Sequence, residues 1–138
     1  MILADTGALI ALIDADDRHH GTILDLYERD PDAWVLPWAI LPEVDYLLLT
    51  QVGAGAQLAF VRDLADARWA VEWGDPKDLI RARQLCERYR DLGLGLVDGV
   101  VMAQAERLGV EAIATLDLRH FGVVLMRGKP RILPRDLE

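Results

Sequence analysis

MILADTGALIALID, residues 1–14, places an aspartate between two apolar runs. Residues 2–4 predict a short buried strand, and the apolar residues that follow Asp5 recur at helical spacing. Aspartate at such a junction is a favoured helix N-cap. An ionised carboxylate beside buried aliphatic side chains is also costly unless it is hydrogen-bonded, paired or bound to a metal. The stretch therefore predicts a strand–helix junction at which Asp5 is either a cap or part of a functional site.

Strand and helix patterns alternate along the rest of the chain. The clearest helix is GDPKDLIRARQLCERYRDLG, in which Asp75 is the expected cap and Pro76 lies in the first turn. The alternation predicts an α/β fold with a mostly parallel sheet of about five strands and helices on both faces. A length of 138 residues suits a single domain, predicted over residues 1–138. The predicted strands are residues 2–4, 33–37, 68–73, 111–115 and 123–126.

The composition limits the class of protein. No apolar run approaches the ~18 residues that would indicate a membrane span. The single cysteine, Cys86, cannot form an internal disulfide, so a reducing compartment, the cytoplasm, is expected. The chain carries 15 basic and 23 acidic residues, for a net charge of −8. That charge weighs against non-specific nucleic-acid binding and suits a basic partner, but it says nothing against a metal-dependent site.

Four acidic residues fall where the predicted fold brings them to one edge of the sheet. Asp5 and Asp117 follow the first and fourth predicted strands. Glu43 lies in the first turn of the helix after the second strand, and Asp98 is the expected cap of a helix that ends at Gly109. In open parallel sheets the functional crevice lies at the carboxyl ends of the strands. We therefore expect the four carboxylates to share one crevice.

Carboxylates gathered in a crevice repel one another unless cations neutralise them. Mg²⁺ and Mn²⁺ prefer such oxygen ligands, and the chemistry that they support best is hydrolysis of a phosphodiester bond. Helix capping is the competing explanation, because Asp5, Asp98 and Asp117 all stand at predicted helix starts. Asp75 is explained by capping alone and is left out of the site. The metal-site interpretation depends on the convergence of the set.

Two motifs near the start of the chain, MILADTGALIALID and LPEVDYLL, resemble those of the PIN-domain family, and specifically of the VapC-type toxins of bacterial toxin–antitoxin pairs. MILADTGALIALID is similar to the family's opening strand, with its first metal-binding acid at Asp5 followed by the hydroxyl residue Thr6. LPEVDYLL is similar to the second motif, with its acid at Glu43.

The resemblance continues to the far end of the chain. IATLDLRHFGVV is very similar to the closing motif, and it includes Thr115, Asp117 and Arg119. LGLVDGVVMAQAERLG matches the third motif at Asp98. It differs at the neighbouring positions, where many relatives have Ser or Thr before this Asp and Ala after it. The four motifs occur in family order and cover essentially the whole chain.

The resemblance implies a three-layer α/β/α fold and an endoribonuclease that depends on Mg²⁺ or Mn²⁺. It also implies a VapB-type antitoxin that blocks the site, and commonly a homodimer. Asp5 and Asp98 would be the main direct ligands, and Asp117 would bind a second metal or act through water. Glu43 would bind metal or orient the attacking water. Supporting contacts to a ligand or phosphate are expected from Thr6, Thr115 and Arg119.

Several other residues have two interpretations. His19 and His20 are poor candidates for Mg²⁺ ligands but could contact RNA, and Trp38 precedes the Glu43 helix near the predicted crevice. His120 is expected to pack the turn after the fourth strand. The apolar face of residues 41–65 suits a dimer interface or an antitoxin groove. Two other functions stay open: a PIN-like DNA nuclease or phosphatase, and a non-catalytic acidic protein-interaction module whose aspartates are only caps.

Overall fold

A computed structural model describes residues 1–137, and Glu138, the last residue of the predicted domain, lies outside the described residues. Within them a parallel sheet has the order β3-β2-β1-β4-β5. The predicted α/β fold is therefore confirmed, with every strand pairing parallel. The strands are β1 (Ile2–Ala4), β2 (Trp34–Pro37), β3 (Ala70–Glu72), β4 (Ala112–Ala114) and β5 (Arg131–Leu133).

Seven α-helices connect or follow these strands in the described part of the chain. They are α1 (Thr6–Ile13), α2 (His20–Arg29), α3 (Leu41–Leu47), α4 (Ala54–Ala65), α5 (Pro76–Arg88), α6 (Leu96–Leu108) and α7 (Leu118–Phe121). The predicted helix over residues 40–50 is α-helical only to Leu47 and continues as a π-helical turn, Leu48–Val52. Within residues 1–137, no helix is both long and apolar enough to cross a membrane.

The order of the strands assigns the helices to two layers. The chain moves from β1 to β2 to β3 in one direction and then crosses back to β4 and β5 on the other side of β1. Parallel crossovers are right-handed, so α1–α4 cover one face of the sheet while α5 and α6 cover the other. The contacts agree, because α1 packs on α2 and α3, while α5 packs on α6. The result is the expected three-layer α/β/α arrangement.

The central strands are buried because helices cover them on both sides. All residues of β1 and β4 are buried, as is Trp34 at the start of β2. On the second face α6 is buried over Gly99–Ala105. A Cβ at Gly99 would lie 3.2 Å from both Ala82 Cβ and Cys86 Sγ of α5. Glycine at this position therefore permits the close approach of the two helices.

The fifth predicted strand is in the wrong place. Residues 123–126 alternate between exposed and buried side chains, with Val124 and Met126 inward, and this alternation is the pattern of a strand. They form an irregular segment instead, and the edge strand is β5, whose Ile132 pairs with Ile113. Pro130 and Pro134 flank β5 and leave only three residues for it, which hides the strand pattern in the sequence.

Candidate active site

A cleft of about 660 Å³ opens at the carboxyl edge of the sheet, and all four predicted acids line it. Asp5 is reached at the end of β1 and Asp117 just beyond β4. Glu43 and Asp98 project from the first turns of α3 and α6, which lie on opposite faces of the sheet. We refer to this space as the acidic cleft. The structure thus brings together acids separated by more than a hundred positions in the sequence.

Asp5 is the most deeply buried of the four acids, with 6% of its surface exposed. Its Oδ2 accepts a hydrogen bond of 2.9 Å from Thr115 Oγ1, and its side chain makes no cap hydrogen bond to α1. The pKa of Asp5 is raised from 3.8 to about 6. Burial is the largest cause, the charges of Asp98 and Asp117 add to it, and hydrogen bonds from Thr6 and Thr115 oppose it. Capping therefore does not explain this carboxylate.

Thr115 joins the first and last motifs through one hydroxyl group. It is fully buried, donates to Asp5, and accepts a hydrogen bond of 3.0 Å from the backbone N–H of Asp117. One side chain therefore fixes the carboxylate that follows β1 and the backbone that carries the acid following β4.

Asp98 lies inside the first turn of α6, and the prediction that it caps this helix is wrong. The N-cap is Gly95 and the helix begins at Leu96. Burial raises the pKa of Asp98, an effect that hydrogen bonding to His120 opposes. The carboxylate is therefore not used to cap the helix and remains available to the cleft.

His120 is a cleft residue that the sequence analysis missed. Its Nδ1 lies 2.6 Å from Asp98 Oδ2 and 3.1 Å from Asp117 Oδ2, while its Nε2 lies 3.2 Å from the carbonyl oxygen of Leu92. Since ionised carboxylates only accept hydrogen bonds, Nδ1 carries the proton in these contacts. The available signal was its position three residues after Asp117, which places both side chains on one face of a helical turn.

Asp117 has two roles in the structure. One oxygen, Oδ1, caps α7 by accepting a hydrogen bond of 3.1 Å from the backbone N–H of His120, while Oδ2 faces the imidazole of the same residue. Glu43 is exposed at the rim of the cleft, and its charge helps to raise the pKa of Asp98 after the larger effect of burial. Capping and participation in the cleft are compatible for Asp117.

The remaining candidates divide between the cleft and its surroundings. Thr6 lines the cleft, and its buried hydroxyl has no hydrogen-bond partner among residues 1–137. Arg119 is exposed on α7 and does not line the cleft. His20 Nδ1 is 2.8 Å from the carbonyl oxygen of Ala11, away from the acids. Trp38 lines a separate cavity with Trp73 and Gly74, so it is not part of the cleft.

The donor set of the cleft fits a divalent cation. One ligand atom from each of Asp98, Asp117 and His120 lies within 4.8 Å of the others. The described lining of the cleft contains no lysine or arginine that would balance the acids, and Asp5 is buried beside them. Carboxylate oxygens are ligands that both Mg²⁺ and Mn²⁺ accept, and the His120 imidazole, which donates to two of these carboxylates, orients them.

A family model described as the PIN domain matches residues 2–124 of the chain. The chain belongs to the PIN-domain family. This PIN domain is 32% identical to Ribonuclease VapC26 of Mycobacterium tuberculosis over 123 residues, covering 89% of the chain and 91% of that relative. The resemblance to VapC-type proteins inferred from the motifs is therefore confirmed.

Solved structures support the same fold. The crystal structure of VapC20 from Mycobacterium tuberculosis, a toxin that cleaves the sarcin–ricin loop, aligns with a TM-score of 0.77 and 24% identity. The alignment covers 92% of this PIN domain and 99% of that chain. The DNA-bound VapBC complex from Salmonella typhimurium aligns with a TM-score of 0.70 and 22% identity over 95% of each chain. The three-layer fold is thus shared with VapC structures.

Proposed function

We propose that this PIN domain is a metal-dependent endoribonuclease that acts as the toxin of a VapBC-type pair. The observation that carries the proposal is the convergence of Asp5, Glu43, Asp98 and Asp117 on one cleft whose described lining offers His120 as its only basic side chain. The relationship to Ribonuclease VapC26 supports RNA as the substrate. We propose that residues 1–138 act as one nuclease domain in the cytoplasm, where RNA and a reduced Cys86 are expected.

Some side chains of the cleft would bind the cation, and others orient the side chains that bind it. Asp98, Asp117 and Asp5 would hold Mg²⁺ or Mn²⁺, and Glu43 would add a ligand or orient the attacking water. When bound, the cation supplies a nucleophilic water at neutral pH and neutralises charge on the phosphate. Thr115 orients the Asp5 carboxylate, and the His120 imidazole orients Asp98 and Asp117.

Thr6 and Arg119 have supporting roles in the proposal. The unpartnered hydroxyl of Thr6 lies in the wall of the acidic cleft, beside Asp5. A ligand or phosphate oxygen that moved against it would supply the missing hydrogen bond. Arg119 is exposed two residues beyond Asp117, where a guanidinium can contact RNA phosphate outside the cleft.

A protein partner is proposed for the apolar surface of α3, the π-helical turn and α4. Five large side chains there are exposed by 38% or more: Tyr46, Leu49, Val52, Leu58 and Val61. An exposed apolar surface on an acidic protein suits a segment that is both apolar and basic. The VapBC complexes from Salmonella typhimurium and Rickettsia felis have related folds. We propose a VapB-type antitoxin as this partner. We also propose that the toxin by itself is a homodimer, and light scattering measures this oligomeric state.

The test of the activity is cleavage of a mixed RNA pool by purified protein with EDTA, Mg²⁺ or Mn²⁺. Asp5→Asn and Asp98→Asn should each lower the cleavage rate at least 100-fold while the protein stays folded. Asp75→Asn is the matched control, because it makes the same change at a carboxylate that only caps α5. Equal cleavage by wild type and by the cleft variants would contradict the proposal.

Parallel reactions separate the other functions. Single-stranded DNA and a phosphate monoester test the DNA nuclease and phosphatase alternatives with the same variants. Expression in bacteria should arrest growth for wild type and for Asp75→Asn but not for Asp98→Asn. Growth arrest that persists in Asp98→Asn would favour a non-catalytic interaction module.

A further inference from the structure

A second cavity lies beside the acidic cleft, at the same carboxyl edge of the sheet. It has a volume of about 240 Å³ and is lined by His19, Thr115, Leu116, Leu118, Pro134 and Arg135. Leu116 also lines the acidic cleft, so the two spaces share a wall. We refer to the second space as the side cavity.

The strand order explains where the side cavity lies. Thr115 and Leu116 follow β4, while Pro134 and Arg135 follow β5, the neighbouring edge strand. Neighbouring strands are about 4.8 Å apart. The side cavity is therefore about one strand away from Asp117, on the side opposite to Glu43. A linear ligand laid along this edge meets the acids first and then the side cavity.

The lining of the side cavity differs in chemistry from that of the acidic cleft. It is mostly apolar, and among the described residues it includes no carboxylate, although the chain has a net charge of −8. His19 is held in place by Asp17, which accepts from its backbone N–H at 2.8 Å, and by Arg18 Nε, which donates to its Nε2 at 3.0 Å. A planar imidazole thus stands beside an aliphatic surface.

Arg135 adds a positive charge to this lining. Its Nε and Nη2 donate to Asp136 at 2.7 and 3.0 Å, while its Nη1 has no hydrogen-bond partner among residues 1–137. The guanidinium is therefore oriented by Asp136 and keeps donor capacity for a phosphate oxygen.

We propose that the side cavity binds the base of the nucleotide next to the scissile phosphate, with Arg135 facing the phosphate of that nucleotide. The proposal rests on the ribonuclease function proposed above and names a further binding subsite for the same substrate. Nucleic-acid bases stack on planar and apolar side chains with little dependence on the identity of the base. One such contact raises the affinity for RNA roughly 5-fold or more. The volume corresponds to roughly eight liquid waters at ~30 Å³ each, which is room for a planar base.

Photo-crosslinking locates the base directly. The probe is a random-sequence 12-nucleotide RNA in which 4-thiouridine replaces uridine, mixed with the Asp98→Asn protein and Mg²⁺ so that binding is observed without cleavage. Mass spectrometry should find crosslinked nucleotides on His19, on Leu118 or on residues 134–135, which line the side cavity but not the acidic cleft. Wild-type protein is assayed in parallel for cleavage of the same pool.

Two variants test the subsite by kinetics. His19→Ala and Leu118→Ala should each raise the RNA concentration needed for half-maximal cleavage 5-fold or more, while the rate at saturating RNA stays within 2-fold of wild type. Leu125→Ala is the control, because Leu125 is an exposed leucine that lines neither space. Circular dichroism shows whether each variant is folded, and the crosslinking result stands even if one of them is not.

The outcomes separate the subsite from the activity on which it rests. If wild type cleaves the pool, crosslinks lie elsewhere and both variants behave like Leu125→Ala, the subsite is wrong and the ribonuclease stands. If crosslinks lie in the side cavity but wild type does not cleave the pool, the ribonuclease proposal fails and the cavity is not a subsite of that reaction.

Discussion

The protein contains two clusters of carboxylates that differ in the groups that neutralise them. In the ion-pair network of α5 and α6, Arg107 holds Asp78 and Glu72, and Arg81 holds Glu106. In the acidic cleft, His120 is the only basic side chain of the described lining.

The two clusters also differ in their proton affinities. Burial raises the pKa of Glu106, but hydrogen bonds from Arg81 and from the Arg127 backbone outweigh it, so this pKa lies below its usual value. Burial raises the pKa of both Asp5 and Asp98, and no arginine offsets it. Arginine-paired acids are neutralised within the fold, whereas acids gathered without such partners reduce its stability unless a cation binds. The comparison distinguishes structural acids from candidate ligands.

The largest expected effect comes from breaking the ion-pair network. Arg107 Nε and Nη2 donate to Asp78 at 2.7 and 3.0 Å, and the Asp78 side chain is only 4% exposed. Arg107→Met leaves that buried charge without its partner, which should lower the free energy of unfolding by about 3 kcal/mol. Urea unfolding at pH 7 measures the change.

Arg83→Met is the matched control for that substitution. Arg83 forms an exposed pair with Glu87 at 3.8 Å, so its loss should cost less than about 0.5 kcal/mol. If both arginine variants unfold at the same urea concentration, burial does not distinguish the two ion pairs.

The next prediction concerns the acidic cleft, where a substitution should raise the free energy of unfolding rather than lower it. Because the pKa of Asp5 rises from 3.8 to about 6 in the folded state, the native protein binds more protons than the unfolded chain over this range. Stability in EDTA should therefore fall as pH rises from 4 to beyond 6. Asp5→Asn should remove the part of this dependence that comes from Asp5 and be more stable than wild type at pH 8 by about 3 kcal/mol.

Asp136→Asn is the control for Asp5→Asn, because it should change the stability at pH 8 in the opposite direction. Hydrogen bonds from Arg135 and from the Ile132 backbone lower the pKa of Asp136 to about 2, so that carboxylate stabilises the fold above the usual pKa of 3.8 and less at lower pH. Its replacement should reduce stability at pH 8. Parallel unfolding curves of wild type and Asp5→Asn from pH 4 to 8 would contradict the assigned proton affinity of Asp5.

A smaller effect is expected at the imidazole that joins the two aspartates. His120→Ala should weaken Mn²⁺ binding by roughly 10- to 100-fold, because the ring no longer orients Asp98 and Asp117. Titration followed by electron paramagnetic resonance measures the free Mn²⁺. His120→Asn, which keeps an N–H donor, should recover part of the affinity, and His20→Ala should leave it unchanged. Equal affinities in all four proteins would limit His120 to packing.

The smallest effect separates a capping aspartate from a cleft aspartate. Asp75 caps α5 through its hydrogen bond of 2.8 Å from the Lys77 N–H and through a capping box with Asp78. Asp75→Ala should destabilise the protein by about 1 kcal/mol, and Asp75→Asn should restore most of that loss. Neither change should alter RNA cleavage by the folded protein. A loss of RNA cleavage in Asp75→Asn would contradict the distinction between a capping aspartate and a cleft aspartate.

The sequence could predict the features that depend on strand order alone. Asp5 and Asp117 follow strands, and the carboxyl ends of parallel strands share one edge, so their convergence follows once the fold class is known. The capping role of Asp75 is equally local, since cap, proline and helix lie together in the chain, and the structure confirms it.

The features that sequence could not predict depend on contacts between distant segments. Residues 123–126 alternate like a strand, yet β4 pairs instead with the short segment between two prolines. His120 looked like a packing residue because its partner Asp98 and its contact at Leu92 lie on other elements. The cap of α6 is a glycine, which sequence propensity ranks no higher than the nearby aspartate.

The hydrogen bond from Thr115 to Asp5 has a consequence for the synthesis of the protein. The two residues are 110 positions apart, so a ribosome adding roughly 5–20 residues per second needs roughly 6–22 s between them. A nascent chain that ends before β4 has Asp5 but not the threonine that orients it, nor the acid that follows that strand. The cleft is therefore incomplete during most of translation, which delays any cleavage of RNA near the ribosome until the chain is nearly finished.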